Sequence, residues 1–456
     1  MAEESREINK CAGFQADSEM VGVVFNMLDM QKDKDLPIQS RKNCITVLGS
    51  DPELAGKIKY NTLSNMKNVV GALTWNKSEC MREWTNIDDE YLLYYMETYY
   101  KINSEKRVLS ALDIMADTNK FNPFVDMLNS VSWDGMPRIE HLLTDYLGVK
   151  RSDYTGECMK LLMLGVISRA FSPGTKFDYI LVLSGPQGIG KSSFFMKLCC
   201  NSDWYLENMK SIYDERKAAE KIQGKLIVEF NELMGMKSGV EAVKAFTTAL
   251  SDEYRGAYER RSEQRKRTCV FIGTTNEPQF LNDRSGNRRF LPLECGAEPI
   301  KKSLFIDEDK LINEFKQAWA EAYEIYKSGK FSLVLSAEMK EYVDKLQVDF
   351  EEDDPLVGQI QNFLDGYDDD YVCGLIIARA VLNNDAPDMK TSKTISNIMN
   401  HKIKGWEKSG KHTFESLGRQ KCYKRVSEFV ECEKTYFRPH RPHSDHTSDS
   451  MKSLIL

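Results

Sequence analysis

The eleven cysteines of this chain never fall into a Cys-x-x-Cys pair, and they scatter from Cys11 to Cys432. That absence argues against a structural zinc site and for a reducing compartment. Long hydrophobic runs are missing too: the longest, Leu161–Ile167, is far short of a bilayer span. The opening, MAEESREINK, is polar and acidic rather than a secretory signal. A cytoplasmic setting without a membrane partner is therefore expected. Strong charge of one sign is also lacking. The formal net charge is −7 over 456 residues, so the chain as a whole is no polyanion binder. Any nucleic-acid contact must come from local basic patches. No internal repeat is visible.

What is present is an ordinary globular composition, 41% hydrophobic and 29% charged, in a chain long enough for about three domains. Residues 1–40 are polar and weakly patterned, as in a flexible arm. Over 41–150 the apolar spacing is mostly helical, as in Tyr91, Leu92, Tyr95 and Met96 followed by Val108, Leu109, Leu112 and Met115. Over 151–335 short β-rich runs alternate with helical stretches, at Tyr179–Leu183, Leu226–Phe230, Val270–Ile272 and Phe290–Leu293, the pattern of an α/β sheet with covering helices. A helix with Leu311, Phe315, Ala318, Ala322 and Ile325 on one face closes this block. The acidic run Glu351–Asp354 marks a boundary near 335–355, followed by a small basic unit at 355–430 and a polar, disordered tail at 433–456. The tail carries His440, His443 and His446, but without ordered partners they make a poor metal site.

The stretch DYILVLSGPQGIGKSSFFMKL fits strand, G-x-x-x-x-G-K-S loop and apolar helix in that order. Gly185, Pro186, Gln187, Gly188, Ile189, Gly190, Lys191, Ser192 and Ser193 are the predicted phosphate cradle. The glycines let successive backbone N–H groups face phosphate oxygens, and the helix adds the positive end of its dipole. Lys191 is placed for the β- and γ-phosphates and Ser192 for Mg²⁺, so ATP with Mg²⁺ is the expected ligand.

A P-loop ATPase also needs an acid at the end of a neighbouring strand. In GKLIVEFNE the strand alternation puts Leu226, Val228 and Phe230 on one face, with Glu229 and Asn231 on the other. Glu232, where the strand leaves the sheet, suits a catalytic base, and Glu229 a metal-side acid; either is open as the principal carboxylate. The next strand, CVFIGTTN, ends in Thr274, Thr275 and Asn276, whose amide is suited to orienting a lytic water. Arg288 and Arg289 precede an apolar strand, and the planar guanidinium suits developing phosphoryl charge. A finger supplied in trans would require head-to-tail assembly into a ring.

Two basic patches stand out. Residues 255–267 carry six Arg or Lys against two Glu, with Tyr254 and Tyr258 interleaved. Arg255, Tyr258, Arg260, Arg261, Arg265, Lys266 and Arg267 are the candidate contacts to single-stranded DNA, with a solvated charged hairpin as the alternative. Residues 390–425 carry ten Lys or Arg against two Glu. There a helical stretch, Thr391–Ile403, precedes a hairpin through Gly410 and Gly418, a winged-helix-like layout or else an ordinary docking domain.

Taken in order, Tyr60-Asn61, Trp133-Asp134-Gly135-Met136-Pro137-Arg138, GPQGIGKSS, Glu229-x-x-Glu232, Lys244, Asp252-x-x-Arg255-x-x-Tyr258, GTTN and GNRRF resemble the virulence-associated protein E family of phages and mobile elements. That family is related to superfamily 3 helicases and AAA+ ATPases, and the resemblance runs from about 45 to 330. It implies a P-loop AAA+/superfamily 3 helicase-like core with a helical N-terminal domain. Lys191 and Ser192 would form Walker A, Glu229 and Glu232 Walker B, Asn276 the sensor, and Arg288-Arg289 the finger. Residues 252–267 would meet DNA in a central channel. The implied protein is a DNA helicase-type ATPase acting in replication in a bacterial host cell. It would form a ring, a hexamer, on single-stranded or forked DNA. An ATP-switched initiator or loader is the alternative. Asn231-Glu232 stands where relatives carry adjacent Asp-Glu, which raises the case for Glu229. The family is often attached to a primase, but residues 1–120 show no acid constellation for one, so a separate primase would be the partner.

Overall fold

The computed structural model describes residues 17–209, 212, 214–231, 237–254, 263–281, 287–350 and 355–426. The chain divides into two compact units, Met1–Glu352 and Asp353–Leu456. Among the described residues no helix is long and apolar enough to cross a membrane.

The first unit begins with helices Ser18–Phe25 and Arg41–Ser50 and a small sheet of β1 (Ile58–Asn61), β2 (Met66–Val69), β3 (Arg82–Glu83) and β4 (Lys120–Phe121), in the order β3-β2-β1-β4. Helices Asn86–Tyr100 and Glu105–Thr118 pack with this sheet through Leu92, Tyr95, Met96, Val108 and Leu112. The helical spacing is thus realised, while the sheet was not legible: its strands are two to four residues long, too short for alternation to register. Asp88, in the first turn of helix Asn86–Tyr100, accepts both outer nitrogens of Arg82 at 2.7 Å, the Trp75 indole N–H and the Thr85 backbone N–H.

Residues 153–350 build an α/β layer structure. Its strands are β5 (Ile180–Ser184), β6 (Tyr205–Leu206), β7 (Ile227–Phe230), β10 (Val270–Thr275) and β11 (Phe290–Glu294); β8 (Ser251–Tyr254) and β9 (Glu263–Lys266) form a separate hairpin. The five strands are all parallel, in the order β11-β5-β10-β7-β6. Their apolar runs are buried on both faces, as parallel sheets require. Alternation divides them between two cores. Leu181, Leu183, Ile227, Val270, Ile272, Leu291 and Leu293 face helices Asp153–Phe171, Lys191–Leu198 and Glu308–Lys327. Ile180, Val182, Val228, Phe230, Phe271 and Phe290 face the side of Ala218, Ile222 and Val243. Glu229 lies between Val228 and Phe230 in sequence, so the pleat turns it to the first face, that of helix Lys191–Leu198. Leu226, expected to share a face with Val228 and Phe230, lies ahead of the strand and joins the first core.

β5 is the first strand of this sheet in sequence, and later strands pair on both of its edges. The crevice outside its carboxyl end is therefore a switch point, where ligands of open parallel sheets bind.

The second unit contains helices Pro355–Asp365, Gly374–Leu382 and Met389–His401, with β12 (Tyr371–Cys373), β13 (Trp406–Phe414) and β14 (Gly418–Arg425) in the antiparallel order β12-β14-β13. Ile360, Leu364, Ile377, Ile395, Ile398 and Trp406 form its own core. The hairpin turn falls at 415–417, while Gly410 lies inside β13, where the register shifts between Lys408 and Lys411.

Candidate functional site

The loop between β5 and helix Lys191–Leu198 meets the requirements of an anion cradle one by one. Gly185 has φ +143°, and a Cβ there would stand 2.7 Å from the carbonyl oxygen of Cys295, so only glycine fits. The helix has Gly190 as N-cap, at φ 99°, and no side chain caps it. Its first internal bond runs from the Phe194 N–H to the Gly190 carbonyl at 2.8 Å. The N–H groups of Lys191, Ser192 and Ser193 are the orphan donors of the first turn, at the positive end of the helix dipole.

Lys191 is 8% exposed and folds back over this loop. Its ammonium donates to the carbonyls of Gly185 at 2.7 Å and Pro186 at 2.9 Å, and to Asn276 Oδ1 at 3.1 Å. All three acceptors are neutral. Burial pulls the ammonium below its ordinary pKa, opposed by the nearby Cys295 and Glu229. The same burial pushes the Cys295 thiol up to about 12.

Glu229 is fully buried. Ser192 Oγ donates to its Oε1 at 2.7 Å, the Thr274 hydroxyl donates to the same oxygen, and the Tyr205 hydroxyl donates to Oε2 at 2.6 Å. Burial, then the Glu229 charge, drives the Tyr205 phenol far above its ordinary pKa, so it remains a donor. A hydroxyl beside a carboxylate is a hard oxygen donor set of the kind Mg²⁺ takes. The residues present therefore fit a magnesium–triphosphate, with N–H groups and Lys191 for the phosphates and Ser192 and Glu229 for the metal.

The register of the sheet decides which other predicted residues share this site. Ser184 pairs with Thr275 on one side and Glu294 on the other, so Asn276 leaves β10 at the same carboxyl edge as the loop. Arg288 and Arg289 lie in the turn Asn287–Arg289 before β11, and Phe290 pairs with Ile180 at the opposite edge. A five-residue strand is about 17 Å long, so neither arginine reaches its own chain's cradle. Lys244 also belongs to that far edge, buried with its ammonium 5.9 Å from the Phe290 ring centroid.

Arg267, expected on the DNA-facing surface, is 3% exposed and structural. It grips Asp252 at 2.6 and 2.7 Å and lies 4.2 Å from the Phe246 ring, closing the base of the β8–β9 hairpin. Arg265 is half-buried and donates to Gln223 Oε1 at 3.0 Å, whereas Lys266 is exposed. Glu232, Arg255, Tyr258, Arg260, Arg261 and the tail histidines lie outside the described residues. Among the described residues no cluster of three or more His, Cys, Asp or Glu could hold a metal ion.

Other motif residues hold the architecture. Asp134 pairs with Arg138 at 2.6 Å, and Glu321 of helix Glu308–Lys327 accepts the backbone N–H groups of Arg138 and Ile139. Asn61 Oδ1 accepts the N–H of Leu63 at 2.9 Å. The residues that sequence reasoning missed are Tyr205 and Thr274, the two hydroxyls holding Glu229. Thr274 was visible as a polar strand end, but Tyr205 stands 24 residues from Glu229 with no spacing signal.

Residues 128–352 match the model of the virulence-associated protein E-like domain. No curated protein matches the chain. Among solved structures, the apo NrS-1 C-terminal region is similar at 14% identity, covering 81% of this chain and 95% of that one, with a TM-score of 0.44. A second form of that region has the same identity and a TM-score of 0.45, covering 81% of this chain and 96% of that one. A JCV helicase bound to a small acetamide compound shares 12% identity over 57% of this chain and 79% of its own, with a TM-score of 0.25.

Proposed function

Because the chain carries a virulence-associated protein E-like domain, we propose that it is a P-loop ATPase driving a DNA helicase-type motor in the replication of a phage or mobile element. The observation that carries this reading is the convergence on Lys191. An uncapped helix start, a cation held only by neutral oxygens, the Ser192–Glu229 pair and Asn276 all meet at the carboxyl edge of one sheet. Bound Mg²⁺ would neutralise phosphate charge and orient the scissile group. Lys191 and the loop N–H groups would hold the phosphates, Ser192 and Glu229 would fix the metal, and Asn276 would orient water. Glu232 would serve as the base.

The far-edge position of Arg288 and Arg289 supports a finger supplied in trans and, with it, a ring, a hexamer in this reading, around single-stranded or forked DNA. Lys266, with Arg255, Arg260 and Arg261, would follow the strand, the 355–426 unit would act as a winged-helix-like grip on DNA, and a separate primase would be the partner. The test is threefold. K191A should abolish hydrolysis, single-stranded DNA should stimulate wild-type turnover, and mixing K191A with the R288A/R289A double variant should restore part of the activity. Undiminished hydrolysis by K191A would end the catalytic assignment.

The second unit favours one other reading, an ATP-switched initiator or loader without unwinding, because its helix and hairpin carry a net +8 over residues 390–425. A strand-displacement assay separates the two.

A further inference from the structure

Between the charged pairs Lys301-Lys302 and Asp307-Glu308 the sequence places the triplet Leu304-Phe305-Ile306. Leu304 behaves as an apolar side chain should: it is 4% exposed, and its Cδ1 lies 3.0 Å from where a Cβ on Gly190 would stand. The next two residues do the reverse. Phe305 is 71% and Ile306 86% exposed, a cost of apolar surface left in water that needs a reason.

The segment is anchored at both ends. The N–H groups of Lys301 and Lys302 donate to the Asp145 carbonyl at 2.9 Å, and Lys197 pairs with Glu308 at 2.8 Å. Leu304 therefore stands level with the start of helix Lys191–Leu198. Glu308 stands level with Lys197, about 9 Å further along that helix. Phe305 and Ile306 lie between them, beside the first turn, and Phe305 is one Cα step of about 3.8 Å from the residue touching Gly190.

We propose that Phe305 and Ile306 form the platform on which the base of the bound nucleotide stacks. This rests on the nucleotide reading of the cradle above. A triphosphate seated on that loop leads away from the first turn of the helix through its α-phosphate and ribose, and the base must then lie against whatever flanks that turn. A flat aromatic ring presented beside an apolar β-branched side chain offers stacking rather than hydrogen-bond recognition. A protein partner fits less well: a fully covered phenylalanine contributes about 150–250 Å², against about 800 Å² per partner for a stable interface.

The test compares a ligand with a base and one without. Calorimetric titration of the full chain with ATP in Mg²⁺ and with inorganic tripolyphosphate should show that F305A weakens ATP on the order of tenfold and leaves tripolyphosphate unchanged. F305W should retain ATP affinity, and K191A should weaken both ligands. Unaltered ATP affinity in F305A overturns the proposal, as does equal weakening of both ligands, which would make Phe305 a prop for the loop. A sedimentation change in F305A without a change in ATP affinity would assign the pair to a subunit contact instead. Failure of the wild-type chain to bind either ligand removes the nucleotide reading itself and this inference with it.

Discussion

Replacing Glu229 by Gln separates what this carboxylate does for the fold from what it does for the chemistry. It accepts three hydroxyl donors in a fully buried setting. Hydrogen bonds to a charged group contribute about 1.5–3 kcal/mol each, so the three sum to roughly 5–9 kcal/mol. Against this stands the desolvation of a buried ion, several kcal/mol even after relaxation. In E229Q the retained carbonyl oxygen still accepts from Ser192 and Thr274, and the new amide donates to the Tyr205 oxygen. The three neutral bonds are worth roughly 2–4 kcal/mol with no ionic desolvation to offset. The two balances are close, and E229Q should unfold in urea within about 2 kcal/mol of wild type. Hydrolysis is another matter, because the amide carries no charge for a metal ion. Phosphate release at saturating Mg²⁺-ATP should fall by about a hundredfold or more. Wild-type turnover in E229Q would refute the metal-side role. A loss of more than about 4 kcal/mol in stability would refute the electrostatic balance.

G185A combines an unfavourable positive φ, about 1–3 kcal/mol, with a backbone contact at Cys295; nucleotide affinity and melting temperature should both fall, whereas G329A, with nothing within 4 Å, should show only the positive-φ strain. At Asp88, burial raises the pKa, but the Arg82 guanidinium, the Thr85 N–H and hydroxyl and the Trp75 indole outweigh it and hold the carboxyl at about 2. A depressed acid stabilises the fold above its unfolded pKa of about 4 and loses that contribution as pH falls towards 2. The stability gap between wild type and D88N should thus be about 2 kcal/mol at pH 7 and shrink between about pH 4 and 2 in urea titrations. R267A strands Asp252 in a half-closed setting and should cost about 3–5 kcal/mol, while K266A should leave the urea midpoint unchanged and lower only the affinity for single-stranded DNA.

Much of the core was legible because parallel strands buried on both faces appear as short uninterrupted apolar runs, as at Ile180–Leu183 and Val270–Ile272. The loop proposed as the cradle was legible for a related reason: the groups that would hold an anion there are backbone N–H groups, and the glycines that free them must stand at set positions in the sequence. Arg267 was misread as solvent-facing because a run of basic residues carries no mark of which one turns inward. The short strands Ile58–Asn61 to Lys120–Phe121 were missed because pairing partners, rather than local pattern, make such segments strands.

The chain order of strand, glycine loop, lysine and helix determined by itself where the proposed anion cradle stands, since backbone geometry and helix dipole are local properties. Only the tertiary structure decided that Tyr205 and Thr274 hold Glu229 against Ser192, and that Arg288 and Arg289 stand at the far edge from their own chain's cradle. Those facts depend on strand order and register, and parallel pairing joins residues far apart in the chain through contacts that no window of sequence contains.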